Sequence, residues 1–126
     1  MYISLSEGEW KIMKVLWKGE DMNLTGIVKA LEKETGWQKA TVFVMLKRLI
    51  AKGAVRLEEN GSKKSYFAAI KKGETSFEET ESFLSRVYDG SIGMMVSALA
   101  GHKALSEEDI AELRAIIDDA EKKRKE

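Results

Sequence analysis

Apolar residues recur with the period of an α-helix through the first fifty residues. Trp10, Met13, Leu16 and Trp17 fall on one helical face. Ahead of them, Ser6-Glu7-Gly8-Glu9 has the form of a capping box. Its hydroxyl can accept from first-turn amides while Glu9 reaches back, and Gly19 marks the stop. Asn23 is placed to cap a second helix that carries Leu24, Ile27, Val28 and Leu31 on one face and ends near Gly36. A third helix is predicted from about Gln38 to Lys52, with Val42, Met45, Leu46, Leu49 and Ile50 as its buried stripe and Gly53 closing it.

The period then changes. Ala54-Val55-Arg56-Leu57-Glu58 alternates, Asn60-Gly61 is a strong hairpin-turn signal, and Ser65-Tyr66-Phe67-Ala68 returns. Helical spacing resumes at Lys71, with Phe77, Thr80, Leu84 and Val87 on one face and a break at Asp89-Gly90. Ile92, Met95, Val96 and Leu99 form a further stripe, broken at Gly101. Ser106-Glu107-Glu108-Asp109 caps a last helix bearing Ile110, Leu113, Ile116 and Ile117. Its first turn is acidic and Lys122 to Lys125 lie in its last, as the helix dipole favours. Three short helices followed by a two-stranded hairpin is the element order of a winged helix. The chain reads as mostly α, in the α+β class, with a winged helix-turn-helix over residues 1–70 and a helical dimerisation arm over 71–126.

Charge sharpens the division. Residues 1–70 hold 12 Lys and Arg against 8 Asp and Glu, a balance of +4, whereas residues 71–126 hold 9 against 13, a balance of −4. The net charge of zero conceals a basic half suited to phosphate and an acidic half suited to something else. The absence of cysteine excludes disulfides, zinc–thiolate sites and cysteine nucleophiles. No leader-like apolar run or membrane-spanning stretch is present, so the chain is expected in the cytoplasm, without membrane insertion. His102, the single histidine, has no carboxylate cluster around it at metal-ligand spacing and reads as a loop residue. No catalytic residue, metal site or cofactor is expected, and a small hydrolase or metalloenzyme is a remote alternative.

In a helix-turn-helix the third helix lies in the major groove. Opposite its core stripe stand Lys39, Ala40, Phe43, Val44, Lys47 and Ala51, with Thr41 and Arg48 on the flanks. Lys39, Thr41, Phe43, Val44 and Lys47 are candidates for base contact, Ala40 is a further DNA-binding candidate on the same face, and Arg48, Lys63 and Lys64 are candidates for phosphate contact. Each charge alone also fits a solvated helix face. Phe43 and Val44 form an apolar patch that either packs on the wing or another helix or meets thymine methyl groups. The hairpin tip around Lys63 and Lys64 either holds phosphate or is a solubilising turn. Ile92, Val96, Leu99, Ile110, Leu113, Ile116 and Ile117 form the candidate dimer seam. The alternative is that the arm folds back on the first domain.

Leu5-Ser6 through Leu16-Trp17, Trp37 through Lys52-Gly53, and Val87-Tyr88 with Leu105 to Arg114, taken together and in this order, resemble the penicillinase-repressor family, the regulators of β-lactamase and methicillin-resistance genes and their copper-responsive relatives. Leu5-Ser6 through Glu9-Trp10, Met13 and Leu16-Trp17 are similar to its opening helix. Trp37, Ala40-Thr41-Val42 and Leu46-Lys47-Arg48-Leu49 to Lys52-Gly53 are similar to its recognition helix and exit turn. Val87-Tyr88 and Leu105 to Arg114 are similar to its dimerisation arm. The resemblance implies a homodimer that represses transcription from an inverted-repeat DNA operator. In the antibiotic-responsive branch it implies a membrane sensor-protease as a further partner and cleavage within the arm. Counting along the chain places that bond at Ala98-Leu99. The copper branch uses cysteine pairs, which this chain lacks. Phe43 and Val44 stand where antibiotic-responsive members often carry arginine and threonine. The rival from another class is a winged-helix protein-interaction module, to which the Phe43-Val44 patch would also be suited.

Overall fold

The computed structural model describes residues 2–19 and 22–126. Three helices open the chain: α1 (Glu7–Lys18), α2 (Leu24–Thr35) and α3 (Lys39–Lys52). Local chemistry sets most of their ends. The Glu9 N–H donates to the Ser6 hydroxyl at 3.2 Å and the Ser6 N–H donates to the Glu9 carboxylate at 2.8 Å, completing the capping box. The Asn23 side chain accepts from Gly26 N–H at 2.8 Å. Gly36 and Gly53 stop α2 and α3 at φ 64° and 85°, left-handed values that glycine adopts without the Cβ penalty.

Strands β1 (Val55–Asn60) and β2 (Lys63–Ala68) form an antiparallel ribbon. Its turn differs from the expected Asn60-Gly61 centre. Asn60 pairs with Lys63, so Gly61 and Ser62 are the central residues, with Gly61 at φ 68° in the first position, the pattern of a type II′ turn. Side-chain matching explains the shift. The observed register sets Leu57 opposite Tyr66 and Val55 opposite Ala68, whereas a loop centred on Asn60-Gly61 would set Leu57 opposite Lys64. A bridge from Met22, whose carbonyl accepts from Tyr66 N–H at 2.8 Å, ties the ribbon to the segment before α2.

The core of this part comprises Leu5, Ile12, Met13, Leu16, Ile27, Leu31, Val42, Leu46, Leu49, Ala54, Val55 and Tyr66, flanked by half-buried Met45, Val28 and Ile50. Two residues of the first predicted stripe, two of the second and three of the third meet there with Val55 and Tyr66 of the strands, joined by Leu5 and Ile12, which the predicted stripes did not include. The Trp17 indole N–H donates to the Ile70 carbonyl at 2.9 Å and fastens the segment that leads into α4 (Lys72–Tyr88).

Two compact units divide inside α4, the first running to Thr80 and the second spanning Glu81–Glu126. The second contains the end of α4, α5 (Ile92–Gly101) and α6 (Glu107–Arg124). Asp89 and Gly90, both at positive φ, end α4, and Ser91 caps α5 by accepting from Met94 N–H. Ser106 and Asp109 make a second capping box at the start of α6. No residue of α5 or α6 is buried.

Candidate nucleic-acid interface

The geometry of α3 follows from its two faces. Val42, Leu46 and Leu49 are wholly buried and hold the helix by one side. The other side presents Lys39, Ala40, Thr41, Phe43, Val44, Lys47 and Arg48, all exposed. Ala40, Phe43, Val44 and Lys47 stand at i, i+3, i+4 and i+7 and therefore form one stripe along the helix. The structure thus brings every candidate on the third helix to a single accessible surface. The Lys47 ammonium lies 5.5 Å from the centre of the Phe43 ring, within cation–π range. Gln38 occupies the N-cap with extended backbone but makes no side-chain cap bond.

The far end of α3 is anchored. Lys52 Nζ donates to the Ser4 carbonyl at 2.8 Å and to Glu9 Oε1 at 2.6 Å. Glu9 is fully buried. Burial pushes its carboxyl up, but the Lys52 hydrogen bond, the Ser6 backbone N–H, the Lys52 charge and the Ser6 hydroxyl outweigh that and hold it below the ordinary value. Glu9 is legible in the sequence as a cap. Its pairing with a residue 43 positions away is not.

On the wing, Lys63 and Lys64 are both exposed at the tip, but adjacent strand residues point to opposite faces. Lys64 shares its face with Glu59, Leu57 and Tyr66, whereas Lys63 shares its face with Asn60, Glu58 and Phe67. The two cations therefore do not form one patch. Sequence reasoning passed over Arg56, whose guanidinium lies 5.0 Å from the centre of the Phe67 ring and 3.0 Å from Glu58 Oε1. The alternation of Arg56 with Leu57 was the available signal. Glu58 and Glu59 offset much of the wing's positive charge, so α3 is the more basic surface of the two.

The second unit carries a different kind of surface. Ile92, Leu99, Ile110, Ile116 and Ile117 of the candidate seam are exposed, while Val96 and Leu113 are half-buried. Met94, Phe83 and Val87 add further exposed apolar area. From Ile92 to Gly101 α5 has no charged residue on any face, a composition that suits a helix enclosed by others. The Ala98-Leu99 bond lies inside α5, where the Ala98 carbonyl accepts from His102 N–H at 3.2 Å and sits 2.9 Å from His102 Nδ1. Among the described residues no group of three or more His, Asp and Glu side chains is arranged to hold a metal ion, and no helix is long and apolar enough to cross a membrane.

A three-helix core with a two-stranded wing and an exposed basic helix defines a winged-helix protein of the DNA-binding type. The sequence profile described as penicillinase repressor matches residues 5–119, and the chain belongs to that family, which comprises transcriptional repressors rather than enzymes. It is 34% identical over 122 residues to the penicillinase repressor of Bacillus licheniformis, covering 97% of this chain and 95% of the relative. It is 22% identical over 113 residues to the methicillin resistance regulatory protein MecI of Staphylococcus aureus, covering 90% and 92%. Among solved structures it resembles the monomeric form of Bacillus licheniformis BlaI in complex with the blaP half-operator. That match has a TM-score of 0.50 and 34% identity, over 56% of this chain and 87% of that one.

Proposed function

We propose that the protein represses transcription as a homodimer on an inverted-repeat DNA operator, in the cytoplasm, with one α3 in the major groove of each half-site. The observation that carries the reading is the outer face of α3, where Lys39, Thr41, Phe43, Val44 and Lys47 stand exposed together beside Arg48. The solved BlaI half-operator complex supports it, since the matching part of that relative binds DNA through a similar fold. Lys39, Ala40, Thr41, Phe43, Val44 and Lys47 face the groove in this arrangement, and Arg48 holds phosphate together with whichever of Lys63 and Lys64 stands on the DNA-facing side of the ribbon.

The arm joins the two copies. Burying one exposed aliphatic side chain contributes about 1.5–3 kcal/mol, and α5 and α6 leave Ile92, Leu99, Ile110, Ile116 and Ile117 uncovered. A two-fold seam of these residues with Val96 and Leu113 covers them and raises the effective concentration of the second winged helix at its half-site. A membrane sensor-protease that leads to cutting at Ala98-Leu99 would separate α6 from the rest and release the operator. The bond's helical setting means that α5 must open before an extended-substrate protease can reach it.

The test is selection of bound duplexes from a random DNA pool by the full-length chain, followed by titration at several salt concentrations. Recovery of a palindrome is expected, with affinity falling about 10³–10⁵-fold between about 50 and 200 mM salt for roughly 6–10 phosphate contacts. Weak, salt-insensitive binding with no recovered sequence would instead assign the apolar patch to a protein partner.

A further inference from the structure

We infer that Phe43 and Val44 are specificity-determining residues that recognise thymine through its 5-methyl group. The inference rests on the DNA-binding reading above and concerns what α3 selects once it is in the groove.

Both side chains lie outside the core. Phe43 is 42% exposed and Val44 52%, while Val42 between the same helical turns is wholly buried. The core on the other side of α3 is closed without them, so packing gives no reason for two large apolar groups here. With Ala40 they make a continuous apolar strip about one turn long, and cations stand at its borders: Lys39 at the N-terminal end, Lys47 over the Phe43 ring, Arg48 on the flank. An apolar strip with a cationic border complements a surface that is apolar at its centre and anionic at its edges. In a DNA major groove that description fits a thymine methyl between two phosphate chains.

The other bases fit poorly. Phenylalanine and valine neither donate nor accept hydrogen bonds. Guanine N7 and O6, adenine N7 and N6, or cytosine N4 pressed against them would lose water and gain no partner, a penalty larger than the attraction itself. Selection for thymine therefore has an attractive part, the methyl contact, and a repulsive part, desolvation of every alternative. Lys47 contributes by holding the ring: its ammonium at 5.5 Å favours one orientation of Phe43 before DNA arrives.

The experiment uses the duplex recovered by selection and replaces each thymine in turn by uracil, which keeps pairing and removes only the methyl. Affinities are measured at fixed salt for the full-length wild type and for Val44→Ala and Phe43→Ala. Both positions are exposed, and circular dichroism verifies that the variants fold. At one or two thymines per half-site, uracil should weaken the wild type about fourfold per methyl lost, the effect of exposing one CH₂-sized group. The same replacement should have little effect on the alanine variant that lacks the matching contact. Losses that are absent at every thymine, or equal in wild type and both variants, overturn the inference while leaving salt-sensitive duplex binding intact. Failure to recover any duplex overturns the DNA reading itself.

Discussion

Lys52 Nζ and Glu9 Oε1 meet at 2.6 Å, and that contact fixes the C-terminal end of α3 to the first turn of α1. Glu9 serves two purposes at once, closing the capping box with Ser6 and receiving the lysine that arrives from the end of α3. Its Oε2 is buried and has no hydrogen-bond partner among the described residues. A carboxylate in that setting depends on Lys52 for its charge to be tolerated.

The pair has a pH signature. Glu9 is held below its ordinary value of 4.5, so its contribution to stability is complete above that pH and is lost as pH falls through the lower, folded-state value. Chemical denaturation of the full chain at a series of pH values should show this loss on the acid side, and Glu9→Gln should flatten it. Lys52→Met, which leaves the buried carboxylate unpaired, should destabilise by about 1–3 kcal/mol at neutral pH, between the values for exposed and buried pairs. A Lys52→Met variant as stable as wild type would show that the contact is not needed.

The helices were legible because their ends are local chemistry: Ser6, Asn23 and Ser106 bond within three residues, and Gly36 and Gly53 turn the chain by themselves. The outer face of α3 was legible for the same reason, since a single helix places it. What escaped the sequence depends on pairing. The wing's turn moved by one residue because Leu57 and Tyr66 had to face each other, and the strength of the Asn60-Gly61 signal says nothing about that. Arg56 on Phe67 and Lys52 on Glu9 likewise require knowing which distant elements meet.

The wing makes a prediction that composition alone does not. Because Lys63 and Lys64 project from opposite faces of the ribbon, they cannot both follow one phosphate chain. In operator titrations over a salt series, one of Lys63→Ala and Lys64→Ala should reduce the salt slope by about one unit. The other should leave it nearly unchanged. Equal reductions would mean that the tip is gripped from both sides.

Trp17 offers a stability test away from the DNA. Its indole N–H donates to the Ile70 carbonyl at 2.9 Å while the ring packs at the margin of the core. Trp17→Phe keeps most of the apolar contact and removes the donor. A loss of about 0.5–1.5 kcal/mol from the bond, and more if the carbonyl is left dry, is expected in thermal or urea unfolding. An unchanged midpoint would show that water replaces the indole without penalty.

Dimerisation and operator affinity should be lost together through α6. The informative position follows from exposure within one chain. Leu113 is half-buried, so changing it risks disturbing the chain's own packing, whereas Ile116 and Ile117 are 56% and 57% exposed and carry little of it. An aspartate at such a position is harmless in a monomer but must be desolvated in a seam, and it also forfeits the aliphatic contact, about 1.5–3 kcal/mol per chain and twice that in a symmetric dimer. Ile116→Asp should therefore sediment as a monomer at concentrations where wild type is a dimer. Its near-ultraviolet signal from Trp10, Trp17 and Trp37 should remain close to wild type, because these pack on the first core, from Leu5 to Tyr66, which contains no residue of α6. Its affinity for a single half-site should match wild type, while its affinity for the full palindrome should fall by about 10²–10⁴-fold, the factor that linking two modules supplies. The half-site control separates the two ways this can fail. A variant that remains dimeric places the seam elsewhere on the arm, and a true monomer that still holds the palindrome like wild type removes the arm from operator recognition.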